Sequence, residues 1–263
     1  MTRRVLTPRW LGALLLAALF AVACYHLGWW QYHRHEAKAE RNARLDAHYR
    51  ADPVPVESVL TPAGLSVEDE WTRVRVRGTY VGGPVYVRGR VNERQNGLEV
   101  LWALRPDRGG PDLVVDRGWV PPSDRGASTL PPVAAAPSGP VEVTGWVRRG
   151  EASRDKRMPP GQVASLNVRE AAAALGAPSV LPGYVLLQSE RLPDGSSPER
   201  PQPLGPPDRS LGPHLAYAYQ WWLTTVVGFV LVWFGVRREL RAEDPVRYPP
   251  KRRKTRIWDE EDG

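Results

Sequence analysis

The chain has 263 residues, with 36 Lys and Arg against 29 Asp and Glu. Its net charge of +7 does not indicate a nucleic-acid surface, because residues 31–213 contribute only +2 of it. The single cysteine, Cys24, argues against a disulfide-stabilised domain, and with only two methionines it disfavours a copper-binding protein. Residues 49–213 contain neither His nor Cys, which disfavours a zinc enzyme or a Ser-His-Asp hydrolase there.

Two apolar segments, residues 10–30 and 214–236, lie near opposite ends of the chain. At a rise of about 1.5 Å per residue, a helix of either length crosses a hydrocarbon core of about 30 Å. Lipid offers the backbone no hydrogen-bond partner, so both segments should be helical. We therefore predict a membrane protein in which two transmembrane helices bracket a soluble region.

A cleaved signal peptide is the alternative for the first segment. Arg3 and Arg4 suit its basic start, residues 11–20 its apolar part, and residues 21–23 (Ala-Val-Ala) its cleavage site. Against cleavage, the uncharged run continues to Trp29-Trp30, which is typical of an interfacial aromatic belt. Both interpretations stay open, and an intact-mass measurement separates them.

Charge predicts the orientation of both helices in the cell membrane. Basic residues precede the first segment and follow the second: Arg3, Arg4 and Arg9 before, and Arg237, Arg238, Arg241 and residues 251–254 after. By the positive-inside rule, residues 1–9 and 237–263 are cytoplasmic and the central domain is extracytoplasmic. Four basic residues just beyond the first segment oppose this: Arg34, Lys38, Arg41 and Arg44. Residues 211–213, which directly precede the second segment, are uncharged and do not oppose the rule. The charges around the second segment therefore decide the predicted orientation.

The pattern between the segments changes from helical to strand-like. Residues 31–52 predict a helical extension that ends at Asp52-Pro53, because residues 31–49 lack Pro and Gly. Residues 53–192 predict a β-rich domain, barrel-like or sandwich-like, with half-buried strands. The strand candidates lie around residues 74–76, 85–91, 100–104, 113–115, 119–120, 141–147 and 184–188.

One helix should interrupt these strands. Asn167 suits its N-cap, Glu170 the capping-box position and Gly176 the stop. The Pro-rich residues 193–213 predict an extended connection that does not pack on the domain. Residues 237–263 predict a disordered tail, since they mix both charges from Pro245 onward.

His214 opens the second apolar segment and is the sharpest candidate for chemistry. Helical spacing places five residues roughly on its face: Tyr217, Ala218, Trp221, Thr225 and Gly228. Such a face would suit a planar apolar group such as haem, with His214 as axial ligand. The pattern alone favours the other interpretation, an aromatic belt beside small residues for helix packing.

Two features of the first segment also suggest roles. His26 is ionisable within the predicted span, but sharing one iron with His214 would need a tilted or unwound helix. Ala13, Ala17 and Ala21 recur at every fourth position, a stripe that would let another helix approach. Its partner would be the second segment, packing through Gly228, or a helix of another protein.

Five segments occur in order along the chain: residues 28–34 (GWWQYHR) with Lys38, 76–80 (VRGTY), 87–90 (VRGR) with 97–104, 116–121 (DRGWVP) and 214–222 (HLAYAYQWW). Each is weak alone, but together they resemble the Surfeit locus protein 1 (surfeit-1-like) family over about residues 10–239. The chain departs from that pattern in its Pro-rich residues 131–140 and 193–213.

The resemblance implies a membrane-integral assembly factor of haem-copper cytochrome c oxidase. Its partners would be the catalytic subunit, other assembly factors and the lipid bilayer, with no nucleic acid. Bacterial members are implicated in binding haem a for delivery to that subunit. The resemblance therefore implies His214 as haem ligand, with Tyr217, Trp221 and, secondarily, His26 at the site.

Two other functions stay open. A scaffold without haem would stabilise oxidase assembly intermediates through its helices and β domain. An enzyme would need a polar site such as Asp116 and Arg117 with Glu93 or Glu99, but no nucleophile–base pair is visible there. We therefore expect a non-enzymatic protein, and interpret Asp116-Arg117 as a strand-end turn with a structural ion pair.

Overall fold

The computed structural model describes residues 7–126, 129–243 and 248–249. The chain divides into two compact units, Met1–Ala39 with Ser210–Gly263 and Glu40–Arg209. Arg3, Arg4 and residues 244–247 and 250–263 of the predicted tail lie outside the described residues. Residues 237–243, the first part of that predicted tail, are helical.

Long helices form the first unit, since both apolar segments are helical. Helix α1 (Pro8–His48) begins with a proline, which is favoured at the first helical position. Helices α3 (His214–Thr224) and α4 (Val227–Glu243) cover the second segment. By length and composition, Pro8–His48 and His214–Glu243 are each able to cross a membrane, in agreement with a membrane protein.

The second predicted span is not one uninterrupted helix. The hydroxyl of Thr224 donates to the Gln220 carbonyl at 2.7 Å, and that of Thr225 donates to the Trp222 carbonyl at 2.6 Å. Such bonds compete with the helical ladder and bend it. The chain therefore passes through a turn between α3 and α4.

Small residues let the helices pack antiparallel. A Cβ on Gly228 would lie 3.1 Å from the Cβ of Ala17, so the two backbones approach closely there. At one end, a Cβ on Gly235 would lie 2.6 Å from the ring of Trp10. The indole nitrogen of Trp10 also donates to Glu239 Oε2 at 3.0 Å. The partner of the alanine stripe in this structure is thus the second helical segment of the same chain.

A β-barrel forms the second unit, which confirms a β-rich region between two apolar helices. The strands are β1 (Val54–Pro55), β2 (Arg73–Asn92), β3 (Gln95–Pro106), β4 (Asp112–Val120), β5 (Pro140–Arg148), β6 (Gln162–Val163) and β7 (Val180–Arg191). Neighbours follow the order β1-β2-β3-β4-β7-β5, and β5 also pairs with β2. This last pairing closes the sheet. The pairs β1–β2, β2–β6 and β4–β7 are parallel.

Two apolar clusters lie on the two faces of the closed sheet. The inner cluster includes Val76, Trp102 and Val185. The outer one packs Leu101 and Val114 against α2 (Val168–Leu175) and Leu45 near the end of α1. The expectation of half-buried strands was therefore wrong for β4, which is buried along its whole length because both of its faces are covered.

Helix α2 is the predicted inserted helix, with the predicted cap. Oδ1 of Asn167 accepts from the backbone nitrogens of Arg169 at 3.1 Å and Glu170 at 3.2 Å. Gly176 ends the helix with φ 70°, a left-handed conformation that favours glycine.

The Pro-rich connection is extended but not free, which corrects the prediction. The backbone of Gln202 pairs with that of Trp119 through bonds of 2.8 and 3.0 Å. Pro201 is buried, and Nδ2 of Asn92 donates to the Pro203 carbonyl at 3.3 Å. A Cβ on Gly118 would lie 2.5 Å from the Gln202 carbonyl oxygen, so glycine there allows the close crossing.

Candidate functional site

His214 is held by a side chain from the first helix. Its Nδ1 lies 2.8 Å from Oε1 of Gln31. We assign the proton to Nδ1, because it then donates to the amide oxygen of Gln31. The lone pair of His214 is then on Nε2, the nitrogen that a metal would take.

Gly212 keeps space beside that nitrogen. Its φ is 65°, a conformation in which side chains are strained, and a Cβ there would lie 3.6 Å from Nε2 of His214. A side chain at position 212 would contact the imidazole at ordinary van der Waals distance, and glycine leaves that position empty.

Aromatic rings surround the same end of the helix pair. Trp222 lies 5.9 Å from Trp29, 6.0 Å from Tyr32 and 5.8 Å from Tyr219, measured between ring centroids. A Cβ on Gly28 would overlap the indole of Trp222, so only glycine admits this packing. Nε1 of Trp222 is buried with no hydrogen-bond partner among the described residues.

The helix face that was predicted to carry His214 divides into packing residues and more exposed aromatic residues. Ala218 is fully buried and Gly228 contacts Ala17, so the small residues pack helix on helix. Tyr217 is exposed and Trp221 is partly buried. The structure thus brings Tyr217 and Trp221 to the margin of the helix pair, beside His214. Ala13 and Ala21 are partly buried along α1.

His26 does not lie against His214. It is exposed, midway between Cys24 and Gly28, which are both buried; two residues correspond to about 200° around a helix. His214 instead contacts Gln31, five residues or about 7.5 Å further along α1. The structure therefore gives joint ligation by the two histidines no support.

Sequence reasoning gave no site role to Gln31, Gly28 or Gly212, although residues 28–34 carried part of the family resemblance. Gln31 stood next to the aromatic residues, but its partner lies 183 positions away. A signal was present in the repeat of small or polar residues at Cys24, Gly28 and Gln31, which marks the packed face of α1.

Known proteins support the resemblance. A profile of the SURF1 family, the family of Surfeit locus protein 1, matches residues 18–226. The chain belongs to the SURF1 family. An uncharacterised SURF1-like protein of Mycobacterium bovis is 31% identical over 246 residues, covering 90% of this chain and 87% of the relative. One from Mycobacterium tuberculosis gives the same values. A SURF1-like protein of Monosiga brevicollis is 27% identical over 252 residues, covering 88% and 90%.

In this SURF1-family chain, Arg117 of the DRGWVP segment is fully buried inside the barrel and pairs there with an acidic residue. Its Nε and Nη2 contact the two carboxylate oxygens of Glu190 at 2.8 and 2.9 Å. The hydroxyl of Tyr80 also donates to Glu190. Arg117 further donates to the carbonyls of Ala134 and Glu199, at 3.3 and 3.2 Å. The predicted structural ion pair therefore exists, with Glu190 as the partner of Arg117, and Arg117 also ties two Pro-rich segments to the barrel. The predicted strand-end turn was wrong, because Asp116 and Arg117 lie in the middle of β4.

Asp116 lies in a different environment, on the other face of β4. Its Oδ1 accepts from the Gly118 backbone nitrogen at 3.1 Å. Burial, then the nearby charge of Glu99, raises the pKa of Asp116 well above its usual range. Glu93 lies apart, in the turn after β2. The four residues of the hypothetical enzyme site are therefore not gathered around one space.

Arg90 links the acidic residues on that face. Its Nη1 donates to Glu151 at 2.8 Å. Its Nε lies 2.9 Å from Oε2 of Glu99, at ion-pair distance but too oblique for a hydrogen bond. Burial raises the pKa of Glu99, and Arg90 opposes that rise. The arrangement is typical of a buried structural network.

Proposed function

We propose that this protein is a membrane-integral assembly factor of haem-copper cytochrome c oxidase that binds haem a through His214. Family membership supports the oxidase role. The contact between Gln31 and His214 carries the haem assignment, because it fixes the imidazole with Nε2 directed away from its partner. The bound haem would pass to the catalytic subunit.

The residues around His214 suit a porphyrin. A histidine with a partnered Nδ1 is a common axial ligand of haem iron. Tyr217 and Trp221 would flank the macrocycle, and the open side of Gly212 leaves room beside Nε2. Haem supplies a planar apolar ring with iron at its centre; the chain supplies the ligand and the aromatic surroundings.

Replacement of His214 tests this assignment. We expect the full-length wild type, purified from cells that make haem a, to carry a haem spectrum that His214→Ala loses. His26→Ala is the matched control, because His26 is an exposed histidine of the same unit. Equal haem in His214→Ala and wild type would overturn the ligand assignment.

A scaffold without haem is the second candidate, favoured by the tight contact of Ala17 with Gly228. Several apolar side chains point away from that contact: Leu15, Leu16, Leu19, Leu223 and Leu231. These would face lipid or helices of assembly partners. If the scaffold role is correct, His214→Ala leaves oxidase assembly intact, while Gly228→Leu abolishes it. The haem proposal predicts that both variants lower the amount of active oxidase.

We also propose that both termini are cytoplasmic, which places the barrel outside. Arg9, Arg237 and Arg241 at one end of the helix pair support this orientation. Alkaline phosphatase fused after Gly126 should be active, and after Glu243 inactive. The reverse pattern would overturn the orientation.

A further inference from the structure

The helix end that carries His214 also gathers cationic groups. Arg34, His35 and Lys38 lie within two turns of α1, just beyond Gln31. We call these three residues the cationic rim. Arg34 stacks on the ring of Trp30 at 5.2 Å, which holds its guanidinium at this end.

Lys38 borders the same space as the candidate ligand. A Cβ on Gly212 would lie 3.3 Å from Nζ of Lys38 and 3.6 Å from Nε2 of His214. Both nitrogens therefore lie within contact distance of one position, which glycine leaves without a side chain. A group bound at Nε2 would present its margin to the ammonium of Lys38.

His35 supplies a second, independent sign of a ligand. Its Nδ1 is buried and has no hydrogen-bond partner among the described residues. Buried polar atoms in proteins are nearly always partnered, by the chain, by water or by a ligand. His35 lies one helical turn beyond Gln31, on the side of α1 that faces His214.

The start of α3 adds to the positive potential. Pro213, at the N-cap position, makes no side-chain capping bond, so backbone nitrogens of the first turn are left for an acceptor. A helix N-terminus favours negative charge. The same stretch of α1 also carries one acid, Glu36, which lies near Tyr32.

We infer that the cationic rim binds carboxylate groups, and that these are the propionates of the haem ligated by His214. This inference rests on the proposed function. A haem carries two carboxylates at one edge of an otherwise apolar ring. Lys38, His35 and the first turn of α3 match that edge, while Tyr217 and Trp221 match the ring.

The test compares two probes on full-length protein in detergent micelles: ferric protoporphyrin IX and its dimethyl ester, in which both carboxylates are blocked. We expect the wild type to bind the free acid about tenfold more tightly, with empty micelles as the reference. Lys38→Gln should remove most of this preference and leave the Soret band of the bound haem unchanged. Lys156→Gln, the same exchange at an exposed lysine of the other unit, should change neither.

The outcomes separate the two proposals. If neither probe binds the wild type, the proposed haem function fails and the rim fails with it. If both probes bind equally through His214, only the rim is overturned. Competition of phosphatidylglycerol with the free acid, but not with the ester, would make the rim a site for lipid phosphate and would also overturn it.

Discussion

Two polar pairs, one in each unit, show how differently this chain uses its motif residues. Arg117 and Glu190 are 0% and 1% exposed, and both carboxylate oxygens are engaged. His214 is only partly buried, and its contact with Gln31 uses one ring nitrogen. The Arg117–Glu190 pair is thus buried and structural, whereas the contact of His214 with Gln31 leaves the second ring nitrogen, Nε2, outside it. Arg117 of the DRGWVP segment therefore serves the fold, whereas the role proposed for His214 is to bind a ligand.

The largest expected effect is the loss of stability when the buried ion pair of Arg117 and Glu190 is broken. Arg117→Ala leaves Glu190 charged and unpaired in the barrel interior, which should lower the unfolding free energy by about 3–5 kcal/mol. It also frees the carbonyls of Ala134 and Glu199. Urea unfolding of the full chain in micelles, followed by tryptophan fluorescence, measures the change.

Arg77→Ala is the control for Arg117→Ala. Arg77 also pairs with a glutamate at 2.8 Å, but its side chain is 76% exposed. Such a surface pair contributes about 0–1 kcal/mol. Equal losses in the two variants would contradict the buried, structural character of the Arg117 pair.

Gly28→Ala should disturb the helix pair by about 1–3 kcal/mol, because the new methyl group overlaps the indole of Trp222. The altered emission of the aromatic cluster and a lower thermal midpoint would report it. Gly12→Ala is the control, since a Cβ there meets nothing within 4 Å. Identical behaviour of the two alanine variants would refute the close approach at Gly28.

The contact between His214 and Gln31 is tested by replacing Gln31, which leaves the histidine itself in place. Gln31→Leu removes the acceptor for His214 and should weaken haem binding by about 10–100-fold, the usual cost of losing such a ligand partner. Gln31→Glu keeps an acceptor and should retain binding. Gln220→Leu makes the same exchange at an exposed residue of α3 and should be neutral. Undiminished binding by Gln31→Leu would show that the contact does not orient the imidazole.

The smallest effect is expected at Asp116, where Arg90 and Arg148 partly offset burial. The folded carboxyl, whose pKa is raised, keeps its proton to higher pH than the unfolded one. Stability from this group therefore falls as pH rises from the ordinary carboxyl range toward the folded pKa. Asp116→Asn should raise the unfolding free energy at pH 7 and flatten its decline with pH. Asp107→Asn, at an exposed position, should not, and a destabilised Asp116→Asn at pH 7 would contradict the raised pKa.

These comparisons also show what the sequence was able to predict. Local signals sufficed for the apolar helices, for most strands and for the Asn167 cap, because each depends on neighbours a few positions away. The Arg117 pair joins residues 73 positions apart, and the contact of His214 with Gln31 joins residues 183 apart. No periodicity carries such information. The packing of residues 199–205 was missed for the same reason, since proline content predicts extension but not what an extended segment lies against.

The central claim, that Nε2 of His214 binds haem iron, is tested most directly by chemical rescue. His214→Gly, made in the full-length chain and titrated with haem in micelles, should lose the histidine-ligated spectrum of the wild type. Added imidazole should restore it, whereas His26→Gly should need no rescue. A His214→Gly variant that shows the wild-type spectrum without imidazole would contradict the claim.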